Sequence, residues 1–382
     1  MGGNDKNSVS QKNARPTGLI TRKRTNRLVT PPQNASLTGM DWTQLDWQAL
    51  DRLRDGFIKG TAAVGPYWRT PADLANYDMT YAERIGWKWD AVLSELRRRN
   101  WTPPASARAL LDWGCGSGVA SRRVLRAFGP ENFDTLHLWD HSPLARDFAA
   151  QAARRDFPDL KIEHSALRTP PSAFVLLLSH VINELSDASL AELTALARRA
   201  GAVIWVEPGT HADSRALVSV REKLRVDFDI VAPCAHAAPC GLLAPGAERH
   251  WCHNFAEPPR NIYADSDWVK FGKRAGVDLR SLPYSFLVLQ KKSAPSAGTA
   301  RVSRADSVVP DAAARIIGRP RIHKAHAAIC SCDAGGVNDL TLYKRDATVL
   351  FKQLDRAPAH PPLYIWKRDP SNPSKILGGA PS

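Results

Sequence analysis

The sequence predicts a doubly wound α/β fold, and three observations carry that expectation. A short apolar run, Ala109-Leu110-Leu111, ends in Asp112 and a glycine-rich turn, Gly114-Cys115-Gly116-Ser117-Gly118. A helical pattern follows at once, from Val119 through Phe128. A second apolar run, Thr135 to Trp139, then ends in Asp140, at about the twenty-residue distance of a nucleotide-binding βαβ unit. Apolar runs separated by helical patterns imply a parallel sheet covered on both faces.

The elements follow in chain order. Residues 1–38 are rich in Asn, Ser, Thr and Pro and read as a disordered basic tail. Residues 39–104 read as an N-terminal helical region. Trp42, Leu45, Trp47, Leu50, Leu53 and Phe57 recur mostly at three- and four-residue spacings, and Thr80 to Arg99 places Ile85, Trp89, Val92 and Leu96 on one face. Residues 105–292 hold the sheet, with further strands at Leu160–Glu163, Ala173–Leu178 and Ala202–Val206 and a late strand at Leu282–Leu289. Helices are expected at Leu144–Arg155, Ser186–Arg199 and Ser214–Arg225. Residues 293–382 read as a basic C-terminal segment.

Composition narrows the class. At 382 residues and 43% hydrophobic, the chain can bury a large core. No apolar run reaches the roughly 18 residues of a transmembrane helix, so no membrane partner is expected. The first thirty residues lack the apolar segment of a secretory signal. They hold seven Lys or Arg against one acid, Asp5, and read as a basic arm rather than an organellar presequence. The net charge of +14, concentrated near both ends, points to nucleic acid or a ribonucleoprotein, with mere solubility as the competing reading.

Glycine suits the Gly114–Gly118 turn because such turns need positive φ and a close backbone approach to a ligand. The free N–H groups of the following helix then face that ligand. The Asp-x-Gly-x-Gly-x-Gly pattern resembles the first motif of the S-adenosylmethionine-dependent methyltransferases. That resemblance implies that the acid at Asp112 helps orient the methionine part of the ligand. Asp112, Gly114, Gly116, Gly118, Asp140 and Asn183 form the expected cofactor-binding set. Asp140 would accept hydrogen bonds from the ribose hydroxyls.

The loop after the fourth strand, Ser179-His180-Val181-Ile182-Asn183-Glu184-Leu185, sits where ligands bind in such sheets. It carries neither an Asn-Pro-Pro-Tyr type sequence nor a cysteine to attack a pyrimidine. His180 is a candidate general base, with a structural cap as the competing reading. Glu207-Pro208-Gly209-Thr210 ends the fifth strand on the same rim. No catalytic residue is assigned.

Five of the six cysteines follow residue 230. Cys234, Cys240 and Cys252 lie in an irregular insertion at 231–256, and Cys330 and Cys332 lie far downstream. Four thiolates suit tetrahedral zinc or a four-iron cluster, although the spacing is not that of a zinc ribbon. The insertion has few large apolar residues, so metal ligation is expected to supply much of its folding energy.

Ala-Pro-Cys-x-His-x-x-x-Cys, a third cysteine followed by His253, and a late cysteine before a Gly-containing turn resemble one family. It is the methyltransferase-like family associated with the small subunit of the mitochondrial ribosome, which also has bacterial members. Asn183-Glu184-Leu185 and Val206-Glu207-Pro208-Gly209-Thr210 fit the same pattern, over roughly residues 40–345. The resemblance implies a Rossmann-like methyltransferase fold with a [4Fe–4S] cluster and a role in small-subunit assembly or translation. Its ligands would be Cys234, Cys240, Cys252 and Cys332, with Cys330 competing for the last place and zinc as the alternative metal. After Arg345 the sequence departs from the family, which has a Trp-Gly-Asp near the end where Trp366 is followed by Lys367. The expected partners are rRNA and the small ribosomal subunit, met by a monomer. Two readings stand: an rRNA methyltransferase, or a non-catalytic assembly factor. The compartment is bacterial cytoplasm, favoured by the Arg- and Ala-rich composition, or alternatively the mitochondrial matrix.

Overall fold

The computed structural model describes residues 41–58, 67–164, 173–292, 312–356 and 362–382. The basic tail expected over 1–38, and residues 293–311 of the basic C-terminal segment, lie outside the described residues.

Among the described residues, three α-helices precede the sheet: α1 (Trp47–Ile58), α2 (Pro71–Tyr77) and α3 (Glu83–Arg98). A π-helical turn, Asp78–Ala82, joins α2 to α3. Thr70 caps α2 through a reciprocal capping box with Asp73, and Pro71 supplies a preset φ at the first position. The apolar face of α3 is buried, with Trp89, Val92 and Leu96 fully enclosed. Trp89 also donates Nε1–H to Ser179 Oγ at 2.9 Å, tying α3 to the sheet's ligand edge.

The sheet begins with β1 (Ala109–Trp113), α4 (Val119–Phe128), β2 (Thr135–Trp139), α5 (Pro143–Asp156) and β3 (Lys161–His164). It continues with β4 (Phe174–Ser179), α6 (Asp187–Ala197), β5 (Ala202–Pro208), α7 (His211–Leu224) and β6 (Phe228–Ala232). An excursion holding β7 (Asn254–Phe255) and α8 (Ser266–Ala275) precedes β8 (Pro283–Lys291). The strand order is β3-β2-β1-β4-β5-β8-β6, with β7 beside β8. β1 to β5 are mutually parallel, and β8 runs antiparallel to both β5 and β6. This is the Rossmann-like methyltransferase arrangement. The central strands β4 and β5 are apolar and buried on both faces, as parallel strands must be when helices cover each side. The chain reverses direction across the sheet between β1 and β4, which opens a crevice at their carboxyl ends.

The C-terminal part, read from the sequence as a basic segment with no strands assigned, forms a second β structure. It comprises β9 (Ala314–Ile316), β10 (Arg321–Ile322), β11 (His326–Asp333), β12 (Gly336–Tyr343), α9 (Thr348–Arg356), β13 (Leu363–Asp369) and β14 (Asn372–Pro381). The strands run β10-β11-β12-β14-β13-β9, and β9 also pairs with β11, closing a barrel. Inward-facing Ala327, Ile329, Leu340, Leu342 and Ile376 form its core together with Leu350, Phe351 and Leu354 of α9.

Candidate functional site

The turn after β1 holds Gly114, Gly116 and Gly118 at φ of +69°, +52° and +77°. A Cβ at Gly114 would lie 2.8 Å from Val181 Cγ1, and one at Gly118 would lie 3.0 Å from Ala149 Cβ. At Gly116 it would meet no atom within 4 Å, because that residue faces the open crevice. The bare backbone there is a cradle that any side chain would fill. Asp140, at the end of β2, accepts from Gly116 N at 2.9 Å through Oδ2 and from Ser142 N at 2.9 Å through Oδ1. Burial raises its pKa, and these two N–H groups oppose that rise.

Asp112 sits differently from expectation. It does not line the crevice; it is fully buried behind the turn, where Oδ2 accepts from Ser121 N in the first turn of α4. Burial pushes its pKa up to about 7, against the opposing pull of Ser121. Among the described residues, its Oδ1 has no hydrogen-bond partner. Asp112 therefore holds the turn against the helix rather than facing a ligand.

The crevice is a cavity of about 600 Å³. Its floor is the glycine turn, and Asp140 lies at its edge. Tyr67, Tyr77 and Tyr81 form one wall, and the loop from Ser179 to Leu185, with Asn183 at the mouth, forms the other. Glu207 shapes that loop by accepting from Val181 N and Ile182 N, each at 3.1 Å. Burial raises the Glu207 pKa to about 8 despite those donors. His180 adopts φ +56°, a region that non-glycine residues occupy sparsely and that collects at functional sites. Its Nε2 lies 3.4 Å from Lys88 Nζ. Burial and neighbouring Arg84 lower the Lys88 pKa to about 7, while burial and Lys88 hold His180 well below its ordinary value. The pair places an amine that exchanges its proton near neutrality on the cavity wall. Sequence reasoning missed Lys88, which lies beside the apolar stripe of α3 and carries no motif.

A second, smaller cavity of about 30 Å³ is lined by Cys234, Cys240, Cys252 and Cys332. Three come from the excursion after β6, and Cys332 comes from β11 of the barrel. Regular strand structure therefore presents the last thiol. Gly241 lies against the β11–β12 hairpin, where a Cβ would meet Gly336 Cα at 2.6 Å. Burial raises the Cys252 pKa to about 12, and Cys234 and Cys240 add to the rise. Cys332 rises well above its ordinary value through burial and the other three sulfurs. Arg221 and Arg315 line the same cavity, and Arg221 donates Nε–H to Cys234 Sγ at 3.3 Å.

Cys330 packs in the same cluster as Cys240, Cys252 and Cys332 but does not line the cavity; it lies 3.6 Å from His250 Nδ1 and across the hairpin from Asp339. Among the described residues, His250, Cys330 and Asp339 are the one trio whose potential metal-ligating atoms lie within 4.8 Å of one another. No three sulfurs of the four-thiol cavity are that close. Tetrahedral zinc would draw its sulfurs to about 3.8 Å from one another, given Zn–S bonds of about 2.3 Å. Four thiols converging on one cavity are a donor set that suits tetrahedral zinc or a four-iron cluster.

A family model described as mitochondrial small ribosomal subunit Rsm22 matches residues 80–357. The chain belongs to the Rsm22 family. No curated protein matches it in sequence. Among solved structures, this Rsm22-family chain is similar to magnesium protoporphyrin IX methyltransferase of Synechocystis with bound S-adenosylmethionine, at 13% identity and TM-score 0.34, over 65% of this chain and 98% of that one. It is also similar to an rRNA methylase from Escherichia coli, at 12% identity and TM-score 0.34, over 65% and 78% of the two chains. The 16S rRNA methylase RmtB gives 12% identity and TM-score 0.33, over 65% and 76%. The Rsm22 match spans the parallel strands, the glycine turn and all six cysteines, and stops before β13.

Proposed function

We propose that this Rsm22-family protein binds S-adenosylmethionine in the crevice and acts on the small ribosomal subunit through its rRNA, in methylation or assembly. The observation that carries the reading is the open cradle at Gly116 beside Asp140. Asp140 would hold the ribose hydroxyls, the Gly116 backbone would pass close beneath the ligand, and the tyrosine wall would exclude water. Bound there, S-adenosylmethionine supplies an electrophilic methyl group. The Lys88–His180 pair would take up a proton from the attacking atom of the substrate. Gly114 and Gly118 serve the site by letting the turn pack, and Asp112 by fixing the turn to α4. Titration calorimetry with S-adenosylmethionine, joined to methylation mapping of 16S-type RNA from a deletion strain, tests the reading.

A second reading, a non-catalytic assembly factor, is favoured by the 179–185 loop, which lacks the residues that usually present a substrate amine or attack a pyrimidine. Wild-type methylation in the deletion strain together with defective subunits would select it.

Cys234, Cys240, Cys252 and Cys332 would hold a [4Fe–4S] cluster, with zinc as the alternative. Arg221 and Arg315 would offset the negative charge of four thiolates in a buried setting. The partners are rRNA and the small subunit, and the protein acts as a monomer. No helix among the described residues is long and apolar enough to cross a membrane. The compartment is that of the target subunit, bacterial cytoplasm or, in keeping with the family's description, the mitochondrial matrix.

A further inference from the structure

The C-terminal barrel carries a surface used by neither the crevice nor the thiol cavity. Its five main strands in chain order are β9, β11, β12, β13 and β14. Neighbours run first, second, third, fifth, fourth and back to first. The third and fifth strands, β12 and β14, are parallel, and every other pair is antiparallel. Helix α9 joins the third strand to the fourth and plugs the barrel with Leu350, Phe351 and Leu354. This is the connectivity of an OB-fold, in which the face of the second and third strands and the adjoining loops take up oligonucleotides.

Topology does not assign function, so the residues on that face decide. Its outward cross-strand pairs are His326 with Tyr343, Ala328 with Thr341, Cys330 with Asp339 and Cys332 with Val337. The Cys332 end is covered, because Cys332 and Val337 pack beside Leu242 of the excursion. The other end is open. There His323 and His326 stack with ring centroids 4.5 Å apart, and Tyr343 stands 6.1 Å from His326 and 36% exposed. Arg345 lies 5.4 Å over the Tyr343 ring, and Arg321 and Lys324 are exposed at the first-to-second-strand connection. The nearby acids are already paired, Asp339 with Arg249 and Asp346 with Lys375 at 3.2 Å and, more loosely, with the exposed Arg345 at 3.8 Å.

We propose that this face binds single-stranded RNA, with His326 and Tyr343 as stacking platform and Arg321, Lys324 and Arg345 on the phosphates. Exposed rings framed by cations suit unpaired bases, because every base has a stacking face and the backbone is anionic. A duplex hides its base faces and would gain little from the rings. The small Ala328 and Thr341 leave the middle of the face low enough for a strand to lie across it. The surface stands on the barrel alone and does not require that a methyl group be transferred.

The test uses the full chain and a fluorescein-labelled oligouridine of roughly 12 nucleotides, within the usual footprint of an OB barrel. Anisotropy is measured over a salt series that weakens purely ionic contacts. Tyr343→Ala should weaken binding roughly five-fold or more, the loss of one stacked base, while Tyr343→Phe should retain it. Arg345→Ala should lower the salt slope by about one. Unchanged thermal melting would show that the exposed substitutions leave the fold intact, and unchanged S-adenosylmethionine binding would separate this face from the crevice. Equal binding by wild type and Tyr343→Ala, tighter binding of a duplex of the same length, or no oligonucleotide binding by the wild type would each overturn the proposal. The last result would leave the face to an acidic protein.

Discussion

Arg315 of the barrel and Glu95 of α3 meet 220 positions apart in sequence, with Nη1 to Oε1 at 2.7 Å and Nη2 to Oε2 at 3.0 Å. Both side chains are buried. Arg315 also donates to Pro233 O and to Asn254 Oδ1, and Arg99 donates to the same glutamate and to Pro233 O. The barrel is thus fastened to the methyltransferase-like domain by a buried network beside the thiol cavity, and not by the cysteines alone.

Breaking the clamp should be costly. Glu95→Ala leaves a buried guanidinium without its carboxylate partner, an expected loss of about 3–5 kcal/mol. Replacing Glu95, Arg315 and Arg99 together by leucine, which leaves no buried charge unpaired, should cost less than Glu95→Ala. Urea unfolding of the three proteins measures the order. Burial would raise the Glu95 pKa, but Arg315 and Arg99 outweigh it and hold it at about 2, below the ordinary 4.5. A depressed carboxyl stabilises the fold above its unfolded value, so this contribution is complete above about pH 4.5 and fades as pH falls towards 2.

The crevice gives a second expectation. Asp140→Ala should weaken S-adenosylmethionine binding by about 1–3 kcal/mol, the cost of leaving ribose hydroxyls without an acceptor. Gly116→Ala places a methyl group in the cradle and should reduce binding further. Its stability cost should be only the roughly 1–2 kcal/mol of a non-glycine residue at positive φ. Calorimetry and thermal melting separate the two effects. Unaltered affinity in both variants would remove this turn from the site.

Lys88 should show its environment in pH-dependent stability. Its pKa of about 7 lies below the ordinary 10.5, so between those values the unfolded chain binds a proton that the folded one lacks. Stability therefore rises with pH across that window. Lys88→Met should raise the melting temperature most below about pH 7, and the gain should shrink as pH approaches about 10.5.

The thiols give the fourth. Anaerobic purification should yield a brown protein with about four irons per chain. Cys332→Ser should lose the iron, and Cys330→Ser, altered beside His250 and Asp339, should keep it. One zinc per chain in a colourless protein would replace the cluster with a zinc site.

The sheet was legible in the sequence where period and punctuation agree. Helix α4 and strand β2 span the residues expected, Val119–Phe128 and Thr135–Trp139, because a glycine turn and an acid bound them. The barrel was not legible. Several inward positions of β11 are Ala327, Ile329 and Ser331, and β14 carries Gly378 and Gly379, so small residues blur the alternation that marks a strand. Spacing also could not tell that Asp112 turns inward and Asp140 outward. Nor could it separate Cys330 from Cys332, which share one face of β11; the excursion packs against both, and only Cys332 lines the thiol cavity while Cys330 meets His250. Lys88 had no sequence signal because its chemistry comes from burial beside His180.

The thiol cavity draws three sulfurs from the excursion after β6 and the fourth from β11. During synthesis, the three thiols of the excursion emerge before Cys332 does. The cavity closes only after Cys332 has emerged and the barrel has docked. A complete set of four thiols is therefore a record that synthesis has passed that residue and that both halves have met, so a truncated or misdocked chain would be marked by an open cysteine site.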